Sequence, residues 1–530
     1  MRSSESSPRL RRTPPIWTAA LAAALLLGAV LYVRLQIAAA WGGRHNNDFK
    51  HIYAGAWLLA RGLSPYDRTL LFQAAEEAVL PPDQRGQGRL ALNPYVYFPF
   101  TALVMAPLTA LDFFTASAVW FVVNHLCLLL AAAVMLRALR FEPWWGGAAI
   151  LALLLGWNFP LTRNLTAGQL NAPLLLMEAL ALGALLREGE LVRRPGPKPT
   201  ATAGLARRLL NHPRFWAAVA GFALAFAAWF KISPGLFVFF LLLKRRWRAL
   251  GWMLAWGTVL GAFALLAAGP AVHRDFLPLL RQMRYGHSTW EDLVDSATGE
   301  PRVTFYRDPG NQSLNALMHH LVAGGGGFEP LVRLGAKAAD ALTVAGAIIL
   351  LWMGVGPIRR TNRERIEREA AAIEAGASEV PPPADAALEP PEITVLDFSS
   401  FLLLSLFLPS LMWDHYLVQA VLPVLGLAWT LLRARRPRNE SGVQGELVAH
   451  DGGGALPWWI GAGLAAAWTT IGLPQAWGSA FYKSGPGLLL GHAKFFALLL
   501  VFALILDARA RLCSSSQEAE SAPSADESAW

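Results

Sequence analysis

The sequence predicts an all-α polytopic membrane protein, and three observations carry that prediction. Hydrophobic residues make up 54% of the 530 positions and charged residues 16%, where a soluble domain carries about a quarter charged residues; mean hydropathy is +0.37. The apolar residues fall in long runs, among them Trp17 to Val33, Leu128 to Leu136, Ala341 to Met353 and Phe495 to Leu506. Each belongs to a stretch near the roughly twenty residues that cross about 30 Å of hydrocarbon as a helix. The basic residues sit in short clusters between these runs, so the net charge of +9 reads as a topology signal and not as a nucleic-acid surface. A β-barrel, a disordered tail protein and a disulfide scaffold are excluded. The two cysteines, Cys127 in an apolar run and Cys513 in a polar tail, offer no disulfide framework.

The elements follow in order. Residues 1–15 form a cytoplasmic tail, because Arg2, Arg9, Arg11 and Arg12 precede the first transmembrane helix at 16–36. That run is longer than the apolar region of a signal peptide, so it is read as a retained span. Residues 37–113 form an outer loop with juxtamembrane helices, in which Ile52, Ala56, Leu59 and Leu63 recur at helical spacing. Tyr95 to Leu111, broken by Pro99 and Pro107, is expected to lie at the interface without crossing. Transmembrane helices then fill 114–269, with a cytoplasmic basic loop at 188–213, and a second long outer loop occupies 270–328. The C-terminal spans fill 329–507 around a cytoplasmic linker at 354–396, and 508–530 is a cytoplasmic tail. About twelve spans place every basic cluster inside, with both termini cytoplasmic. High Ala, Arg and Gly content without organelle signals fits a bacterial inner (plasma) membrane.

This topology brings several polar segments to the outer side. Asp48 lies in the dense segment Arg44 to His51 directly after the first span; it is either a reactive carboxylate or the N-cap of the helix that starts near Phe49. Lys231 interrupts the apolar stretch Phe215 to Leu243. A cation at that depth costs about 2.5–3.5 kcal/mol on insertion scales, so Lys231 is either functional or a lysine snorkelling from a helix end. Arg163, Gln169 and Asn171 share a polar turn whose amides suit sugar hydroxyls, since each can donate and accept; a plain capped turn is the other reading. Trp413, Asp414 and His415 break the run Phe398 to Leu432, as a phosphate or sugar contact or as a structural Asp–His turn. His319 and His320 carry less weight, and no nucleotide-binding, hydrolase-elbow or zinc spacing is present.

Taken together, these motifs resemble the polyprenol-phosphate-dependent mannosyltransferases of glycosyltransferase family 87, in the multi-spanning GT-C class. The resemblance runs through Asp48 with Tyr53-Ala54-Gly55-Ala56 and Gly62-Leu63-Ser64-Pro65-Tyr66-Asp67, Tyr97-Phe98-Pro99, Gly168-Gln169-Leu170-Asn171, Lys231-Ile232-Ser233-Pro234, Asn311-Gln312-Ser313-Leu314 and Trp413-Asp414-His415. It implies a GT-C fold and an inverting transferase that takes a hexose, with mannose the family's expectation, from a polyprenyl-monophosphate donor. The acceptor would be a glycan or glycolipid hydroxyl on the extracytoplasmic side of the cell envelope. Asp48 aligns with the family's acidic residue after the first span, which implies a general base. Lys231, His415 and Arg163 are then the candidates for the donor phosphate, and Gln169, Asn171, Asn311, Asp414 and Trp413 for sugar or acceptor. The helices Lys50 to Arg61 and Tyr95 to Leu111 would form the mouth of a lipid groove. No metal ligand, nucleotide or redox cofactor is implied, with a divalent metal left open, and no nucleic-acid partner. Two departures, Phe98 where family members often have proline and a single histidine at His415 where a pair is frequent, bear on sugar and acceptor more than on the reaction. The alternative from another class is a transporter or flippase of lipid-linked sugars.

Overall fold

The computed structural model of the chain describes residues 15–44, 48–80, 82–85, 92–194, 204–285, 308, 310–325, 327–374, 389–434, 456–475 and 479–521. The N-terminal tail, His45 to Asn47, and parts of the predicted loops, linker and C-terminal tail lie outside them. Among the described residues the regular elements are helices, and the strand-like pairings are two isolated antiparallel bridges, Asn311 to Trp413 and Gly325 to Phe328.

Among the described residues six helices are long and apolar enough to cross a membrane: Thr18–Gly43, Phe113–Leu139, Pro213–Phe230, Trp247–Gln282, Ala336–Glu367 and Asp414–Ala434. The pair Trp144–Gly156 and Phe159–Ala167, bent by 60°, makes seven if it is one span. The other apolar helices do not meet that length and composition for two physical reasons. Pro99–Ala110, Ser233–Leu243, Pro391–Phe407 and Trp458–Gly472 are each 17 residues or shorter, less than the length that crosses about 30 Å. Asn171–Arg193 and Ala493–Ser521 are long enough, but the first carries Glu178, Arg187, Glu188 and Glu190 and the second Lys494, Asp507 and Arg509. The first helix runs on to Gly43, past the expected end at 36, through a π-helical stretch from Tyr32 to Ala39. There the buried Gln36 amide donates to the carbonyls of Gly156 (3.2 Å) and Asn158 (3.1 Å).

Small residues allow the closest helix crossing. A Cβ on Gly28 would come within 2.4 Å of the Ala152 backbone, and one on Gly156 within 2.5 Å of the Gly28 carbonyl. The helix Phe49–Leu59 differs from expectation. It is buried on almost every side, with Phe49, Ile52, Tyr53, Ala54, Ala56 and Leu58 in a second core built against Arg68–Val79 and Pro99–Met105. Only Leu63, past its end, is an exposed member of the predicted apolar stripe.

One of the basic clusters between apolar runs, Lys244, Arg245, Arg246 and Arg248, expected at the cytoplasmic side, is partly internal. Lys244 Nζ donates to Asp397 Oδ2 (2.8 Å) and pairs with Glu389, while Arg509 Nε donates to Asp397 Oδ1 (2.5 Å) and its Nη2 to Thr361. Lys244, Asp397 and Arg509 are each 3% exposed or less. Removing one partner of such a buried set leaves uncompensated charge, at about 3–5 kcal/mol. Asp397→Ala is therefore expected to lower stability by that amount in detergent denaturation, while Asp507→Ala, which breaks the exposed pair with Arg511, costs about 0–1 kcal/mol.

Candidate active site

Asp48 stands at the N-cap of Phe49–Leu59, yet its side chain makes no capping bond. Both oxygens are held from elsewhere: Asn93 Nδ2 donates to Oδ1 (3.1 Å) and Gln169 Nε2 donates to Oδ2 (2.5 Å). The Gln169 carbonyl in turn accepts from the Tyr97 hydroxyl (3.0 Å). An amide is the side chain that can donate to a carboxylate and accept from a phenol at once. Gln169 is delivered by local geometry. The helix Phe159–Ala167 ends in Gly168 at φ +64°, where a Cβ would sit 2.6 Å from Phe49 Cβ, so only glycine lets the turn close onto the residue beside Asp48. Trp120 Nε1 donates to the Gly168 carbonyl (2.9 Å) and pins the turn. His51 stacks on Tyr97, centroids 6.0 Å apart and nearly parallel.

Lys231 follows the span Pro213–Phe230 and is half-buried. Its Nζ donates to Asn171 Oδ1 (3.0 Å) and lies 3.0 Å from the centre of the Tyr416 ring, a cation–π contact. The Tyr416 phenol also feels the charge of Asp48. Asn171 is oriented from behind: its Nδ2 donates to Asn164 Oδ1 (3.0 Å), and Asn164 Nδ2 donates to Asn124 Oδ1 (3.3 Å).

Asp414 and His415 begin the short 3₁₀ turn that leads into Val421–Ala434. Asp414 Oδ1 accepts from Lys494 Nζ (2.7 Å), with both side chains at most 5% exposed, and Asp414 Oδ2 has no hydrogen-bond partner among the described residues. His415 is buried, its Nε2 is likewise without a partner among them, and the charges of Lys231 and Arg163 bear on it. Arg163 is exposed and acts electrostatically on Asp308, Asp414 and Lys494. Asn311 differs from the rest. Fully buried, it accepts at Oδ1 from the Met412 and Ser313 amides and donates from Nδ2 to the Ser410 carbonyl, which staples its own segment to the strand-like segment at Trp413.

The structure thus brings Asp48, Gln169, Asn171, Lys231, His415, Asp414 and Arg163 to one region, and gives Asn311 a backbone-holding part there. It adds Asn93, His51, Tyr97, Tyr416 and Lys494. A sequence signal existed for Lys494, which abuts the apolar run Phe495 to Leu506 as Lys231 abuts its own; none existed for Asn93. Among the described residues, no group of three or more His, Cys, Asp or Glu is placed to hold a metal ion. His319 pairs with Asp340 and His320 with His492.

The model of glycosyltransferase family 87 matches residues 95–377, more than half of the chain. Among solved structures, the crystal structure of ArnT from Cupriavidus metallidurans bound to undecaprenyl phosphate is 13% identical over 96% of this chain and 79% of that chain, with a TM-score of 0.34. Its apo state is 16% identical over 95% and 78%, with a TM-score of 0.27. No curated protein matches the chain.

Burial lowers the His51 pKa below its usual 6.5, and the Asp48 charge raises it part of the way back. His51 is accordingly neutral at pH 7. Asp48→Asn should lower its midpoint further, readable by imidazole NMR titration, and stability should be lost as pH falls below about 6.5, where only the unfolded chain takes the proton readily.

Proposed function

The chain belongs to glycosyltransferase family 87, and from that membership we propose that it transfers a hexose, mannose as the family expectation, from a polyprenyl-phosphate donor to a glycan or glycolipid hydroxyl. The transfer would take place on the extracytoplasmic side of the bacterial inner membrane, with both termini cytoplasmic. The observation that carries this reading is Asp48. It is a carboxylate shortly after the first membrane helix, and its oxygens are spent on two side-chain amides and not on capping its own helix.

In the proposed reaction the acceptor hydroxyl lies on Asp48, gives it its proton and attacks the anomeric carbon. The bond to the phosphate oxygen breaks on the opposite face, which inverts the centre. Asn93 and Gln169 fix the carboxylate plane so that its remaining lone pairs face the acceptor. One carboxylate suffices, because a phosphate leaves without protonation and needs its charge stabilised. Lys231, His415 and Arg163 are assigned that task. The Nε2 of His415, unpartnered among the described residues, and the exposed Arg163 guanidinium are the groups with capacity left over. Gln169, Asn171, Asp414 and Trp413 are assigned to sugar or acceptor, and Asn311 to holding the Trp413 segment in place.

A lipid donor also needs an apolar groove. A groove of about 460 Å³ is walled by Ala466, Ala467 and Thr470 on one helix and Ala493, Phe496 and Ala497 on another. Its lining is apolar, as an isoprenoid chain requires. Family membership leaves the flippase alternative without an observation in its favour.

The test is transfer from synthetic polyprenyl-phosphate-mannose by the purified chain against a panel of mannosides and glycolipids. Asp48→Asn should lose about 10²–10⁴-fold in turnover with donor binding retained; near-normal turnover in the folded variant would sink the assignment. Lys231→Gln should instead weaken donor binding roughly tenfold or more, as the loss of a charge-assisted contact does.

A further inference from the structure

Tyr97 heads the motif Tyr97-Phe98-Pro99 and has no part in the reaction described so far, yet direct contacts join it to the proposed base. Its hydroxyl donates to Gln169 Oε1 (3.0 Å), and Gln169 Nε2 donates to Asp48 Oδ2 (2.5 Å). Phenol, amide and carboxylate thus form a head-to-tail chain of hydrogen bonds. Three segments far apart in sequence meet in it: the residue ahead of Phe49–Leu59, the stretch before Pro99–Met105 and the turn at Gly168.

The phenol is fixed on its own account. Tyr97 is buried, and its backbone carbonyl accepts from the Tyr66 hydroxyl (2.6 Å). The His51 ring lies nearly parallel to its ring at 6.0 Å, and the Tyr95 ring meets it edge-on at 5.6 Å. Burial pushes the phenol well above its usual pKa of 10, so it keeps the proton that it donates.

The amide is the group that needs this. The carbonyl and NH2 ends of a glutamine are nearly the same size, so hydrogen-bond partners, and not the shape of a site, decide which way it faces. Turned round, Gln169 would aim its carbonyl at Asp48, acceptor against acceptor. Gln169 is also buried, so removal of the Tyr97 hydroxyl would take the donor from Oε1, and a buried acceptor left without a donor is costly. The amide would then leave its position, and of the two bonds that hold the Asp48 carboxylate only the one from Asn93 (3.1 Å) would remain.

We propose that Tyr97 is a positioning residue for the base: its hydroxyl holds the Gln169 amide with the NH2 end on Asp48, and so keeps the carboxylate aimed at the acceptor hydroxyl. The inference rests on the reading of Asp48 as the general base. The phenol keeps its proton throughout, and the proton that moves is the acceptor's, to Asp48. The phosphate-binding groups are untouched, so the role belongs to kcat and not to donor affinity.

The experiment is a double-mutant cycle on the full chain in detergent. Transfer from short-chain polyprenyl-phosphate-mannose to a mannoside is measured per donor-binding site, with sites counted by calorimetric titration of the donor, so that any loss of folded protein cancels. Tyr97→Phe keeps the ring, and with it the stack on His51, and loses only the hydroxyl. Its kcat should fall roughly tenfold, with donor affinity unchanged within about twofold. In a Gln169→Met background the same substitution should cost nothing further, because the amide through which it acts is gone. Tyr53→Phe removes a comparable hydrogen bond, to the Leu111 carbonyl (2.6 Å), from a tyrosine of the same core, and should keep the wild-type kcat. A wild-type kcat in Tyr97→Phe, an equal loss in Tyr53→Phe, or a loss that persists undiminished in the Gln169→Met background overturns the inference. Asp48→Asn separates the two readings: near-normal turnover in that variant removes the base itself, whereas a crippled Asp48→Asn beside an unaffected Tyr97→Phe removes only the role of Tyr97.

Discussion

A carboxylate inside a membrane-embedded bundle depends on partners that the protein must supply, and Gln169 is the residue through which this chain supplies them to Asp48. Its amide donates to the carboxylate and accepts from Tyr97, so one side chain ties the segment after the first span to the segment before Pro99–Met105. Both the left-handed turn at Gly168 and its contact with Phe49 exist at the same junction. The buried Phe49–Leu59 helix follows from this. A helix that carries the carboxylate on its first residue cannot drift along the membrane surface, and packing it into its own core fixes the carboxylate against Gln169.

The polar residues of the bundle form two layers. Lys494 belongs to the outer one and Arg509 to the inner one, about 22 Å apart along the same helix. They differ in how completely their atoms are used. Around Arg509 both oxygens of Asp397 are taken by two cations. Around Lys494, Asp414 Oδ2, His415 Nε2 and Gln419 Oε1 have no hydrogen-bond partner among the described residues. Buried polar atoms are normally satisfied, so these, close to the exposed Arg163, are atoms with capacity for a polar ligand.

Much of this could be read from the sequence where a polar residue interrupts an apolar run, because the cost of burying it is local and visible. Lys231, Asp414 and His415 are legible that way, and Glu178 and Lys494 obey the same rule, whereas Asp48 is legible from the dense polar segment Arg44 to His51 after the first span. The partners were not legible. Asn93 lies 45 positions from Asp48 and Gln169 lies 121, and no local pattern announces a hydrogen bond across such a distance. The burial of charges was not legible either: a basic cluster between apolar runs reads as loop charge, whereas Lys244 and Arg246 are buried and paired. Asp48 as a cap was the simplest local expectation, and the structure puts it at the cap position without the cap bond.

The family match covers 95–377 and so contains Gln169, Asn171 and Lys231 but neither Asp48 nor His415 nor Lys494. The proposed site is therefore assembled from three stretches of chain, with the base before the matched region and part of the phosphate-binding set after it. Such a site is only as well defined as the contacts that register the three stretches. Gln169 registers the first against the second, Asn171 and Lys231 meet the third through Gln419 and Tyr416, and Asn311 staples its own segment to Met412 and Ser410 just ahead of Asp414. Asn311 acts on the chemistry at one remove, since a shift of the Trp413 segment would carry Asp414 and His415 with it. A phosphate leaving group makes this division workable: the base and the anion-stabilising cations act on opposite faces of one sugar ring, so they can come from distant parts of the sequence provided the ring between them is held to a fraction of an ångström.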